Sequence, residues 1–316
     1  MKNKIFICLI FISFLFPFLV YAEQSEFNDL EDKTPVPYWE ENKAETKLIK
    51  RFSNGLVIDW EKGVAVARGN VPLPSIQKIK EIPMPKRKEL RKELLKKSLI
   101  AAVNKLEEVI IHIPVEGKSN LGNEMKKDKD FDKNIRNAIR KSSKIIHRKI
   151  ILLEGKRRVF QTVVAFQLRG ENGIGKFLYP YLKKKLQGKI KKVTPIPTKF
   201  TYDKSHTGLI IDASSLGVQP DMSPKIYDIN GTEIYGTIEA SSEYVVENGI
   251  ISYAKDLESA KQIGRAGNDP LIIKAVSRGK DLLKSDVVIS EKDGYIIRKA
   301  NEKTKFLDKC NVIIII

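Results

Sequence analysis

The pattern closest to nucleotide chemistry is Gly170-Glu171-Asn172-Gly173-Ile174-Gly175-Lys176. It repeats the P-loop spacing of first glycine, last glycine and lysine, in which backbone amides cradle phosphates and the lysine reaches the outer ones. The next position is Phe177, where that chemistry needs a hydroxyl on Mg²⁺. The segment therefore reads as a glycine-rich turn before a lysine-rich stretch, and no nucleotide is expected as a cofactor.

Metal and nucleophilic chemistry are no better supported. The histidines are His112, His147 and His206, none with a second ligand at metal-binding spacing. Ser214, Ser215, Ser241 and Ser242 lack a nucleophile-elbow context. Asp212 and Asp228 could meet in space, but their separation in sequence does not say so. No catalytic residue, metal ligand or cofactor is assigned, and the chain is expected not to be an enzyme.

Basic residues form the strongest physical signal. Lys86, Arg87, Lys88, Arg91, Lys92, Lys96 and Lys97 crowd one helical stretch, and Lys183, Lys184 and Lys185 begin a second cluster. Such density can hold anionic lipid head groups or cell-wall polymers, although a solvated face explains it as well. Nucleic acid is set aside, because no recognition motif accompanies the charge.

The chain that must position these residues has 316 residues, a hydrophobic fraction of 42% and a net charge of +18. This is enough apolar material for real cores and excludes a wholly disordered chain. Charge is unevenly placed. Residues 23–46 hold eight acids and two bases, and residues 207–316 hold 14 bases and 16 acids. The surplus therefore lies in residues 47–206, and a shift of that size suggests a domain boundary.

The N-terminus has the three-part plan of an export signal. Lys2 and Lys4 precede an apolar run from Ile5 to Val20, and Val20-Tyr21-Ala22 supplies small residues where signal peptidase reads them. Cleavage is expected between Ala22 and Glu23, giving a periplasmic protein. Retention of the segment as an anchor is the alternative, with a length at the short limit for spanning. Cleavage would leave Cys310 as the only thiol, expected to be buried and inert beside Val312 to Ile316.

Further along, Leu56 to Trp60 and Val64 to Gly69 read as a hairpin, and Pro72, Pro74, Pro83 and Pro85 as an extended loop. Apolar residues at helical spacing from Leu90 to Val109 predict an amphipathic helix, followed by a buried strand from Val109 to Val115. Phe131, Ile135 and Ile139 predict a shorter helix, and Lys144 to Leu153 with Arg157 to Arg169 two strands. In the second half Gly208 to Asp212, Leu271 to Val276 and Val287 to Ile289 read as strands, and Ser242 to Lys255 and Asp256 to Ile263 as mixed or helical. Asn230-Gly231 predicts a tight hairpin turn with two positive φ angles. Ser290 is the expected cap of a helix with Glu291 and Asp293 in its first turn. The terminal Val312 to Ile316 must be covered, as an interior strand.

Two stretches resemble known proteins. Gly55 to Asp59-Trp60, Val64 to Pro72 and the charged helix with Ala101-Ala102 are similar to the exported lipoprotein-20-like family and to the N-terminal domain of flagellar assembly protein T. Thr207 to Ala213, Ser223 to Asp228 and Asp269 to Val276 resemble the C-terminal portion of uncharacterised bacterial proteins of that group. The resemblance implies a periplasmic or outer-membrane-associated accessory protein with envelope or flagellar proteins as partners, and it carries no catalytic residue. The chain lacks the lipobox cysteine that would anchor it by a lipid.

The fold class expected is α+β, in two modules, each an antiparallel or mixed sheet with packed helices. The division is a signal peptide 1–22, an acidic flexible arm 23–53, a basic domain 54–182, a Lys/Pro-rich linker 183–206 and a C-terminal domain 207–316. Three functions stand in order: an envelope accessory protein working by protein contact, a peripheral binder of anionic polymers or lipid, and a periplasmic enzyme. The last would need carboxylates or a histidine converging in a concave pocket.

Overall fold

The computed structural model describes residues 46–52, 56–153, 157–186 and 200–316. The export signal with its cleavage site at Ala22 and Glu23, and the acidic segment up to Glu45, lie outside these residues. The fold is α+β, with one antiparallel sheet in the first half and two sheets in the second.

The first sheet has the order β1-β2-β3-β5-β4, from β1 (Ile49–Arg51), β2 (Val57–Asp59), β3 (Val64–Pro72), β4 (Lys144–Leu153) and β5 (Arg157–Gln167). The expected hairpin is present as β2 against β3. The first domain starts earlier than residue 54, however, because β1 pairs with β2 and so takes residues 49–51 out of the arm. Alternation along β5 serves two faces: Val164 and Phe166 enter the main core, and Val163 and Ala165 join Val57 and Val66 on the other side.

The proline-rich stretch is not simply a loop. It contains α1 (Ile76–Glu81), capped by the Ser75 hydroxyl, before α2 (Met84–Ile110) begins with Pro85 in its first turn, where a missing N–H costs nothing. Leu94, Ser98, Ala102 and Leu106 form the buried stripe of α2, which crosses the sheet at Gly69. A Cβ at Gly69 would lie 2.0 Å from the Ser98 carbonyl oxygen and 2.3 Å from the Ala102 nitrogen, so only glycine permits this approach. Beside it the Ser98 and Thr162 hydroxyls share a buried hydrogen bond of 2.7 Å.

The strand expected over 109–115 is absent. The helix runs on to Ile110, and Ile113 and Val115 are buried in a turn that bridges Pro114 to Asn120. A short apolar run satisfies a buried turn as well as a strand. Then come α3 (Leu121–Lys127), α4 (Lys129–Ser142) and, after β5, α5 (Gly175–Leu186). Since α5 reaches Leu186, Lys183 to Lys185 belong to a helix and not to the linker.

In the second module β6 (Gly208–Asp212), β9 (Ser252–Ala254), β10 (Pro270–Lys274) and β13 (Val312–Ile315) make a wholly parallel sheet, ordered β10-β6-β13-β9. The terminal strand is interior, as expected. Its Val312 and Ile314 face the main core, and its Ile313 and Ile315 face a second cluster with Ala254 and Ala260. A parallel sheet covered on both faces requires such an unbroken apolar run. A mixed sheet follows the order β11-β12-β7-β8, from β7 (Ile226–Asp228), β8 (Glu233–Tyr235), β11 (Ser277–Arg278) and β12 (Val287–Ile289).

The turn between β7 and β8 differs from expectation. Gly231 has φ +78° while Asn230 does not take a positive φ, and the Gly231 amide bonds the Asp228 carbonyl at 2.9 Å. This is a three-residue loop ending in one left-handed glycine. The remaining helices are α6 (Ser242–Asn248), α7 (Leu257–Gln262) and α8 (Glu291–Thr304). Ser290 caps α8 by accepting from the Asp293 amide at 3.0 Å. Cys310 is buried, as expected.

Candidate functional site

The two modules meet in one continuous core and enclose an open cleft of about 1220 Å³. Its first wall is the turn Glu116–Ser119 with α3 and the end of α5. Its second wall is the β7–β8 hairpin, Glu239 and the loop carrying Asp281 and Asp286. The first wall brings Lys118, Lys126, Lys127 and Lys185, and the second brings Glu233, Glu239, Asp281 and Asp286. Carboxylates therefore do converge in a concave site, and sequence reasoning named none of them. They come from the β7–β8 hairpin, the segment after it and the loop of Asp281 and Asp286, spread over 53 residues from Glu233 to Asp286, and only the β7–β8 turn signal hinted at any part of it.

Most of these groups hold one another. Glu124 accepts from Ser119 Oγ at 2.6 Å, Lys127 Nζ at 2.9 Å, Tyr181 OH at 2.9 Å and Lys185 Nζ at 3.1 Å. Burial raises this carboxyl, and the four hydrogen bonds overcome burial and bring it down to about 2. Lys185 also reaches Glu116 at 3.4 Å, and Lys225 pairs with Glu233 at 3.1 Å. One oxygen each of Glu233 and Glu239 is buried without a hydrogen-bond partner. Burial raises the Glu239 carboxyl, with Glu233 adding to it.

On the second wall and behind it, aspartates tie loops together. Asp221 Oδ2 accepts from the Gly117 amide at 3.1 Å and Ser285 Oγ at 3.2 Å, and its Oδ1 from the Ser223 amide at 2.7 Å. Asp281 takes the amides of Ser285 and Asp286 at 2.8 and 3.1 Å, and Asp286 takes the Lys225 amide at 2.8 Å. Burial pushes Asp221 up to about 7 against its donors, and pushes Asp286 to about 7 with Asp281 adding its charge.

The other joints are equally direct. Arg169, at the end of β5, donates to the Trp60 carbonyl and to Ser252 Oγ, both at 3.0 Å. The Met222 amide donates to the Pro114 carbonyl at 3.0 Å, and Tyr179 OH to the Met222 carbonyl at 3.1 Å. Lys183 donates to the Ala240 carbonyl and, at 3.1 Å, to Ser242 Oγ.

The ten basic residues singled out in the sequence therefore divide. Lys183 reaches across the junction, Lys185 is held within the first module by Glu116 and Glu124, and Lys184 is exposed. Lys86, Lys88, Lys92, Lys96 and Lys97 are exposed along α2, with Lys97 paired to Glu93 at 2.6 Å. Arg87 and Arg91 are half-buried. Arg87 donates to the carbonyls of Ile82 at 2.7 Å and Lys80 at 2.8 Å, which folds α1 onto the start of α2.

The glycine-rich segment does lie between a strand and a helix. Its amides at Gly173, Ile174 and Gly175 donate to the carbonyls of Gly170, Gln167 and Leu168, so a phosphate would have to displace them. Lys176 pairs with Glu171 at 2.7 Å. Among the described residues no group of three or more His, Cys, Asp or Glu could hold a metal ion. Asp212 and Asp228 are each occupied within their own turns, accepting from Ser214 and from the amides of Asn230 and Thr232.

No curated protein shows a significant match to the chain. Residues 208–316 match the family described as the second domain of Tp0624 from Treponema pallidum, about a third of the chain. The match begins at the first residue of β6 and so covers the second module.

Proposed function

We propose that this chain is an exported accessory component of the bacterial envelope that works by protein contact in an assembly, without catalysing a reaction. The observation that carries the reading is the junction. Arg169 bonds Ser252, Asp221 accepts from the Gly117 amide, Tyr179 bonds the Met222 carbonyl, and Lys183 reaches the Ala240 carbonyl and Ser242, all across the modules. Such a junction fixes two modules as one rigid body, the property a strut or adaptor needs.

The apolar run from Ile5 to Val20 before Val20-Tyr21-Ala22 supports export, and the resemblance to lipoprotein-20-like proteins and flagellar assembly protein T supports the envelope. Cross-linking in intact cells, followed by purification and mass spectrometry, tests the proposal. Recovery of outer-membrane or basal-body proteins with a chain beginning at Glu23 is the expected result. Recovery of the chain alone, still carrying Met1, would overturn it.

A further inference from the structure

We infer that the end of the first module opposite the junction is a docking tip for an anionic phospholipid surface. The inference goes beyond the assembly reading and does not depend on it.

The fold defines two ends. Contacts to the second module come from Trp60, Pro114, Gly117 and Arg169, where β3 begins and β5 finishes. At the far end β3 finishes at Pro72 opposite Val159, and Leu73 bonds the Arg158 carbonyl. The helix α2 crosses at Ser98, over the Gly69–Thr162 pair. From there Met84 lies about 21 Å along the helix, and Arg157 about 17 Å along β5. The helix start, α1 and the ends of β4 and β5 therefore all lie on the side of the crossing away from the junction.

They display apolar side chains there. Ile76 is 52% exposed, Met84 51%, Leu152 69% and Leu153 41%. Exposed Lys78, Lys80, Lys86, Lys88 and Arg157 share this end. Residues 75–93 hold seven bases against three acids. The first turn of α2 has no acidic residue, so the cations sit at the positive end of the helix dipole, where they lower helix stability. None of the first ten residues of α2 is fully buried, and Lys86, Lys88 and Lys92 among them are exposed, so packing does not explain these lysines.

Aliphatics interleaved with cations match the boundary of an anionic bilayer, where lysine meets phosphate and the apolar groups enter the acyl region. The four apolar side chains stand on three elements, with Leu152 and Leu153 adjacent at the end of β4 and therefore on opposite faces of the sheet. A bilayer deforms around such a protrusion, whereas a folded protein would need a complementary hollow.

The test uses the full chain with Cys8→Ser, labelled with an environment-sensitive fluorophore at Leu153→Cys or Met84→Cys. Ile229→Cys, exposed on the second module, is the control. Site-resolved labels separate the tip from any binding by the apolar N-terminus. With vesicles holding roughly one-third phosphatidylglycerol at about 0.05 M salt, the tip labels should shift to the blue and be quenched by spin-labelled lipid, and the control should not. About 0.5 M salt should reverse the shift. Lys86→Glu with Lys88→Glu should weaken binding roughly ten-fold or more. Tip labels that stay unquenched, respond equally to neutral vesicles, or shift with protein concentration alone would overturn the inference, the last by showing that a second copy covers the tip.

Discussion

Asp221 and Glu124 are both buried carboxyls near the module junction, yet they lie at opposite extremes. Glu124 has two lysines and two hydroxyls as donors and stays ionised. Asp221 has two amides and one hydroxyl but no cation, and the nearby charge of Asp286 opposes ionisation. Burial prevails, and both aspartates rise to about 7. The folded chain therefore keeps protons that the unfolded chain releases between about pH 4 and pH 7. Stability contributed by these groups is full below pH 4, falls as pH rises through that window and levels off above it. The slope is on the order of 1 kcal/mol per pH unit for each carboxyl. Urea denaturation should thus show a more stable protein at pH 5.5 than at pH 8, and Asp221→Asn should narrow the difference. An unchanged slope in that variant would place the titration elsewhere.

The crossing of α2 over β3 depends on Gly69 more than on any other glycine in the sheet. With backbone atoms of α2 at 2.0 and 2.3 Å from the Cβ position, Gly69→Ala must push helix and strand apart and break the Ser98–Thr162 bond. The cost should be about 3 kcal/mol, at the upper end for overpacking, measured as a lower denaturation midpoint with an unchanged slope. Gly231→Ala is the contrast, since nothing lies within 4 Å there and only the positive φ is strained. Elements with a strong local signature were legible in the sequence: the period of α2 and α4, the Ser290 cap, and the isoleucine run that must lie inside a sheet. The run from Val109 to Val115 misled, because burial of Ile113 and Val115 was read as strand when a turn buries them. The cleft was illegible, since tertiary packing alone brings Glu116, Glu233 and Asp286 together. The tip was half legible: its cations stood out, but the placement of Leu152 and Leu153 opposite Arg158 and Arg157 follows only from the register of β4 and β5.

At the scale of the whole molecule, the charge asymmetry between residues 47–206 and 207–316 does not mark two independent folding units. One apolar cluster runs from Leu48, Trp60 and Ile110 through Tyr179 and Met222 to Tyr253 and Val312. Trp60 meets Tyr253 edge-on at 6.1 Å across the joint, and Arg169 ties the Trp60 carbonyl to Ser252. Separating the modules would expose these aromatics and break the Arg169–Ser252 and Tyr179–Met222 bonds, so neither half gains by unfolding alone. In a Trp39→Phe chain the fluorescence of Trp60 reports the joint, and far-ultraviolet circular dichroism reports both modules. The two signals should follow a single urea transition. Arg169→Ala should move both together by about 2 kcal/mol, because it leaves the Trp60 carbonyl without its side-chain donor, while Ser252 Oγ keeps the one from Arg265 at 2.8 Å. Loss of the Trp60 signal well before the dichroism would mean that the joint opens while the modules persist. The molecule would then be a hinge, and the rigid-body basis of the assembly proposal would fail with it.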